Sequence, residues 1–471
     1  MKMKTSHKPI ALFIATIIFA FSVAAQTKTT NFSLPPYEKF VLPNGLTVYL
    51  MEQHEVPVIT VSVVLPAGAI YDGEKNGQAS LTAACLKHGT KKFTKSQIEE
   101  ELDFVGASLN TFTSKESAGL SSHFAKKDQD KVLDIIKEVL VNPVFNADEF
   151  EKEKKRSLVY LEQEKERPRS VIGSFWDKLY YGDHVYGNKQ NGSIATVSKL
   201  VVNDVRIFYN ANYIPNGSAI SIVGDFNSKE MKAKAVGLFT AWKKSTQPQP
   251  QLASKAISIP ASAKVLLVNK DDASETTLFI GGTGVKRNNP DYVALQVVNT
   301  AFGGRFTSWL NDELRVNSGL TYGANSRFSS LKNAGTFYIS TFTATKTTEQ
   351  TIDKALEVLD RLHKKGFDEE TLASAKNYVK GQFPPQYETP DQLAGLLNSM
   401  FWYGFDDSFI NDFQHNVEGV TVSRAKEIIA KYYPQDKLQF IFVGKAAAIK
   451  EIVKKYGPVT EVQIKEDMKA F

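Results

Sequence analysis

The chain has 471 residues, a single cysteine, 42% hydrophobic side chains and a formal charge of +6. One thiol, Cys85, excludes an internal disulfide framework, so the protein must be held together by its core. Its length allows roughly two to four domains, and its basic residues are too dispersed for a nucleic-acid stripe or a polybasic membrane patch, so neither nucleic-acid binding nor membrane insertion is expected.

The N-terminus carries Lys2, Lys4 and Lys8 ahead of an apolar run from Ile10 to Val23, which is the pattern of a secretory signal peptide. Small residues at Val23 and Ala25 place cleavage before Gln26 and predict a soluble mature chain of about 446 residues. No Cys follows the cut to accept a lipid, and no later apolar run approaches the roughly 18 residues needed to cross a bilayer.

Tyr37 to Leu50 predicts a hairpin around Pro43-Asn44-Gly45, and Val58 to Leu65 a largely apolar strand. The segment Gly77-Gln-Ala-Ser80-Leu-Thr-Ala83-Ala84-Cys85-Leu-Lys-His88-Gly89-Thr90 follows. After it come an amphipathic helix over 95–105, the strand-like Ser108-Leu-Asn110-Thr111-Phe112-Thr113-Ser114, and helices over 128–141 and 147–165. Runs of strands beside runs of helices indicate α+β architecture with largely antiparallel sheets.

The second half repeats part of the first. A helix opening at Thr196 leads through Tyr213 into a strand closed by Gly224; a helix opening at Thr421 leads through Tyr433, with equal spacing, into a strand closed by Gly444. Between them, residues 243–262 are rich in Gln, Pro, Ser, Lys and Ala, as a linker between duplicated halves should be. The expected organisation is a signal peptide over 1–25, an N-terminal lobe over 36–242, this linker, and a C-terminal lobe over 263–460.

From Gly77 to Thr90 the sequence resembles the N-terminal lobe of the pitrilysin, insulinase and mitochondrial-processing-peptidase family, in which the first helix carries the inverted zinc motif His-x-x-Glu-His ahead of a Gly-Thr pair. Positions i, i+3 and i+4 share one helical face, which lets that motif aim two imidazoles and a carboxylate at one metal and its water. Here Ser80, Ala83 and Ala84 occupy those positions, and Tyr160, two turns after Glu153, occupies that of the family's last ligand. Alanine has no lone pair to offer and a neutral hydroxyl is a poor zinc ligand, so no metal is expected in this chain. Cys85 with His88 makes too small a set for a replacement site, and neither Ser80 nor Cys85 has an evident base to make it a nucleophile.

The stretch Phe302-Gly303-Gly304-Arg-Phe-Thr-Ser-Trp-Leu-Asn-Asp-Glu-Leu-Arg315-Val-Asn-Ser-Gly319-Leu-Thr-Tyr322-Gly323 is similar to the family's C-terminal-lobe signature. Gly319 suits a helix C-terminal cap, which would put Arg315 in the last turn and Tyr322 on the following strand. A guanidinium and a phenol can donate to a substrate carbonyl or to an oxyanion; equally, an Arg there complements a helix dipole and a Tyr packs.

The resemblance runs from Tyr37 to about Val453 and implies two homologous lobes forming one half of a dimeric, clam-shell chamber. It further implies a non-catalytic subunit exported to the periplasm of a Gram-negative bacterium. Such a subunit would bind peptide substrates and pair as a heterodimer with a paralogous subunit that bears the zinc motif. On that basis Arg315 and Tyr322 would complete the partner's zinc site, while Asn110, Thr111 and Phe112 on an edge strand, with Gly303 and Gly304, would bind peptide. The alternative is a catalytically dead peptide-binding or assembly protein without a peptidase partner.

Overall fold

The structure, a computed structural model, describes residues 32–246, 257 and 259–465. The expected signal peptide and most of the expected linker lie outside the described residues.

Among the described residues, twelve strands form two six-stranded sheets. In the first half they are β1 (Glu38–Val41), β2 (Thr47–Glu52), β3 (Val58–Leu65), β4 (Ser108–Thr113), β5 (Ala118–Ala125) and β6 (Ala219–Gly224). In the second they are β7 (Lys264–Asn269), β8 (Glu275–Thr283), β9 (Ala324–Ser330), β10 (Gly335–Ala344), β11 (Gln439–Gly444) and β12 (Val459–Gln463). The sheet orders are β1-β2-β6-β3-β5-β4 and β12-β7-β11-β8-β10-β9. Five strands therefore correspond one to one, and each sheet is mixed, its parallel pairing involving β2 with β6 in one lobe and β7 with β11 in the other. The two outermost strands differ. β1 precedes β2 and pairs with it antiparallel around Gly45, whose φ of 89° only glycine adopts easily; β12 comes after β11 and pairs with β7 in parallel.

Tyr213 and Tyr433 are both buried just ahead of the central strands β6 and β11, so the repeat seen in the sequence marks equivalent positions. One expectation needs correction. Thr421 does cap the helix Val422–Tyr432 through its side chain, but no single helix runs from Thr196. Ser193 instead caps a four-residue helix, Ile194–Val197, and a separate helix spans Val202–Asn212, held at its start by Asp204 bonding the Val201 N–H.

The central strands of each sheet are buried on both faces, their successive residues pointing to opposite sides. In the first lobe Val48, Leu50, Val61, Val63, Ile220 and Ile222 face the lobe's own helices. Val64, Ala219 and Val223 turn the other way, toward the helix Pro390–Tyr403 of the second half, and Tyr49 and Met51 join the same core cluster. In the second lobe Leu266, Val268, Phe279, Ile441 and Val443 receive Val171, Ile172, Phe175 and Trp176 from the helix Pro168–Tyr181 of the first half. The two lobes thus exchange equivalent helices, each opened by a proline at its first position.

Buried hydrogen bonds fix each exchanged helix. Asn398 donates to Ser62 Oγ at 2.9 Å and accepts from Ser221 Oγ at 2.8 Å, while Trp176 Nε1 donates to Thr336 Oγ1 at 3.1 Å. Trp176 and Asn398 hold the same place in their respective helices. Because each lobe's core is completed by the other, the whole chain is expected to unfold in one transition. Trp176→Ala should lower stability by about 3–5 kcal/mol, seen in denaturant melts as one shifted transition; two separable transitions would show that the lobes fold independently.

Candidate functional site

The helix Gln78–Cys85 starts at Gly77, which has φ 98° and lies so close to Val197 and Asn191 that a side chain would collide. Asp72 accepts from the Gly77 N–H at 2.8 Å and the Ala79 N–H at 2.7 Å, anchoring the helix start; burial nonetheless pushes its carboxyl up to about 7.

The first turn of this helix faces the long helix Ala147–Glu164 across an open cleft whose walls include Ser80, Glu153, Arg156, Ser157, Tyr160 and Asn191. Ser80, Glu153 and Tyr160, paired in the sequence with the family's metal-site positions, thus come together. Ala83 is buried and Ala84 half-buried, and neither forms part of the cleft wall. Ser80 Oγ donates to Asn191 Oδ1 at 3.2 Å, so its neighbour is an amide, which cannot take a proton from it. Glu153 accepts from Arg156 Nη1 at 2.8 Å and lies 3.9 Å from His88 Nε2.

These donors do not fit a zinc ion. Two methyl groups, one hydroxyl already bonded and one neutral phenol offer none of the imidazole, thiolate or carboxylate ligands a structural or catalytic zinc requires. Among the described residues, no group of three or more His, Cys, Asp and Glu side chains is arranged to hold a metal. His88 is buried, its Nδ1 has no hydrogen-bond partner among the described residues, and burial lowers its pKa despite Glu153, so the neutral ring is favoured. Cys85 is buried as well, and burial, helped by Glu153 and Glu149, pushes its thiol up to about 12.

Alongside this helix, β4 is the last strand of its sheet, pairing with β5 on one side only. Asn110 and Phe112 are exposed and Thr111 half-buried. At the end of the strand Gln190 Nε2 donates to Thr113 O at 2.6 Å, and Thr113 Oγ1 approaches Ala79 O at 3.4 Å. The strand therefore ends beside the cleft. The β4–β5 hairpin meets the β9–β10 hairpin at their tips, where buried Glu116 accepts from Tyr186 OH and from Lys332 N at 3.0 Å.

In the second lobe, Gly303 is buried against β9 so closely that a Cβ would lie 2.3 Å from Ser326 Oγ, which accounts for its lack of a side chain by packing; Gly304 is exposed. Arg315 lies within the π-helical segment Asp312–Asn317, its guanidinium 4.5 Å from the centre of the Phe306 ring. Gly319 has φ 62°, with Gly319 N bonding Arg315 O at 3.2 Å and Leu320 N bonding Leu314 O at 2.8 Å, so it terminates the helix as expected. Tyr322 differs from expectation: it stands in the turn two residues before β9, not on the strand, because the chain after Gly319 needs several residues to reverse. It is 84% exposed, and its hydroxyl makes no hydrogen bond among the described residues.

Sequence reasoning missed Arg156 and Asn191. Arg156 was legible in principle, since it is three residues after Glu153 and four before Tyr160 on one helical face. Asn191 comes from a distant loop and had no sequence signal.

Comparison with known proteins identifies the family. Residues 47–187 match the family model described as insulinase (peptidase family M16), and residues 199–379 that of the peptidase M16 inactive domain. A Helicobacter pylori protein described as the non-peptidase homolog YmxG is 23% identical over 85% of this chain and 94% of its own length. A Bacillus subtilis protein described as an uncharacterized zinc protease, YmxG, is 23% identical over 73% of this chain and 83% of its own length. The crystal structure of a peptidase M16 inactive domain from Pseudomonas fluorescens superposes with a TM-score of 0.80 at 25% identity, covering 87% of this chain and 98% of that one. The burial of Cys85 gives a direct check on this region: iodoacetamide should leave it unmodified in the folded protein at pH 8 and alkylate it fully in denaturant, read by intact mass. The chain is a member of the M16 peptidase family, and its sequence carries no His-x-x-Glu-His motif.

Proposed function

We propose that this protein is the non-catalytic, substrate-binding subunit of a heterodimeric zinc peptidase in a bacterial periplasm. A paralogous chain bearing the zinc motif would supply the metal, and this chain would supply Arg315 and Tyr322. The observation that carries the proposal is a contrast between the lobes. The metal positions are filled by Ser80, Ala83, Ala84 and Tyr160, which cannot bind zinc, whereas Arg315 and Tyr322 persist with their polar ends uncommitted: Tyr322 OH bonds nothing, and Arg315 has no carboxylate partner, among the described residues.

Uncommitted donors of this kind suit charge that develops on a peptide carbonyl as water attacks it. The residues of this chain would hold and polarise that oxygen; activating the water would fall to the partner's metal. Removing one such donor typically costs about 10²–10³ in kcat.

The test is reconstitution. Alone, the purified chain should contain no stoichiometric zinc by elemental analysis and cleave no peptide. With a co-purified zinc-motif paralogue, peptidase activity should appear, and Arg315→Ala or Tyr322→Phe should lower kcat by roughly 10²-fold without breaking the complex. Full activity in both variants would reject the role given to these residues.

The open edge of β4 favours a second possibility, a peptide-binding or assembly protein that acts without a hydrolytic partner. Tight peptide binding with no paralogue in co-purification and no turnover would select it.

A further inference from the structure

The cleft left where the family holds its metal has a chemical character of its own. Glu153, Arg156, Ser157 and Tyr160 project from one face of the helix Ala147–Glu164, with Ser80 and Asn191 opposite. Glu153, the carboxylate in the wall, is mostly buried and already paired with Arg156 at 2.8 Å. The groups that remain open are donors. Arg156 is 59% exposed and carries five N–H groups, of which one is committed to Glu153. Tyr160 is 53% exposed, and its hydroxyl has no partner among the described residues. Asn191 uses its Oδ1 to accept from Ser80, which leaves the Nδ2 hydrogens free to donate.

We infer that this cleft is a carboxylate-binding site, in which the Arg156 guanidinium supplies a fixed positive charge and Tyr160 and Asn191 donate to the ligand's oxygens. A guanidinium cannot activate water as a metal does, but its planar fork matches a carboxylate and holds it. The ligand is a carboxylate of a peptide, either the C-terminus or an acidic side chain. The cleft adjoins the open strand edge through Ala79 and Gln190, both of which contact Thr113 at the end of β4 and neighbour Ser80 and Asn191 in sequence. A ligand with an amine in place of the carboxylate would face exposed donors and a carboxylate already spoken for. This inference rests on the peptide-binding part of the proposed function and is independent of any partner subunit.

Equilibrium dialysis of the mature full-length chain against three pools of mixed-sequence decapeptides, quantified by mass spectrometry, tests it. The first pool has free C-termini, the second amidated C-termini, and the third amidated C-termini and no Asp or Glu. The first pool should bind at least about tenfold more tightly than the third. The second pool identifies the source: binding like the first assigns acidic side chains, binding like the third assigns the C-terminus. Arg156→Ala should abolish the preference with an unchanged circular dichroism spectrum, while Arg156→Lys should retain part of it. Equal binding of all three pools, or a preference that survives Arg156→Ala, overturns the carboxylate site while leaving peptide binding intact. If no pool binds, the peptide-binding reading falls and this inference falls with it.

Discussion

The exchange of helices between the lobes is the constraint on which the rest of the structure depends. Each central sheet has two apolar faces, and each lobe's own helices cover only one. The outer face of the first sheet is sealed by Pro390–Tyr403 and that of the second by Pro168–Tyr181, with Asn398 and Trp176 making the buried polar contacts that fix their seating. A sheet that lost its exchanged helix would expose apolar side chains such as Val64 and Val223, or Leu266, Phe279 and Ile441, to water, at about 25 cal/mol for each Å². The lobes consequently share their cores, although the chain reads as a duplication.

That rigidity bears on the degenerate site. The helix Gln78–Cys85 is fixed at its start by Gly77 and Asp72 and lies against β4, and the helix Ala147–Glu164 leads directly into the exchanged helix. A site framed by such elements keeps its shape when its chemistry changes. The cleft between these two helices is lined by Ser80, Arg156, Ser157, Tyr160 and Asn191, with Glu153 in its wall. Function lives in the residues of a site rather than in the fold that frames it, so the same scaffold can carry a different chemistry.

Much of the site was readable before the structure. The i, i+3, i+4 spacing on a helix places Ser80, Ala83 and Ala84 in a known relation, and those side chains offer no good zinc ligand from this helix. The helix end at Gly319 was equally legible, since a left-handed residue after a helix favours glycine. Tyr322 was misplaced by two residues, because strand starts carry weaker local signals than helix caps. The break between Val197 and Val202 was missed because the apolar spacing continues through it; Ser193 opens the short first helix and Asp204 holds the start of the second.

What the sequence by itself determined is local and periodic: the elements, the repeat around Tyr213 and Tyr433, the identity of the residues at the metal positions, and membership of a family whose motifs have fixed spacing. Only the tertiary structure decided which helix covers which sheet, that Asn191 closes the cleft opposite Arg156, and that Gly303 owes its lack of a side chain to Ser326. The physical reason is that an amphipathic face specifies an apolar surface to bury but carries no address. The helix Pro168–Tyr181 would satisfy its Val, Ile, Phe and Trp side chains against either sheet, and contacts between residues more than a hundred positions apart settle the choice.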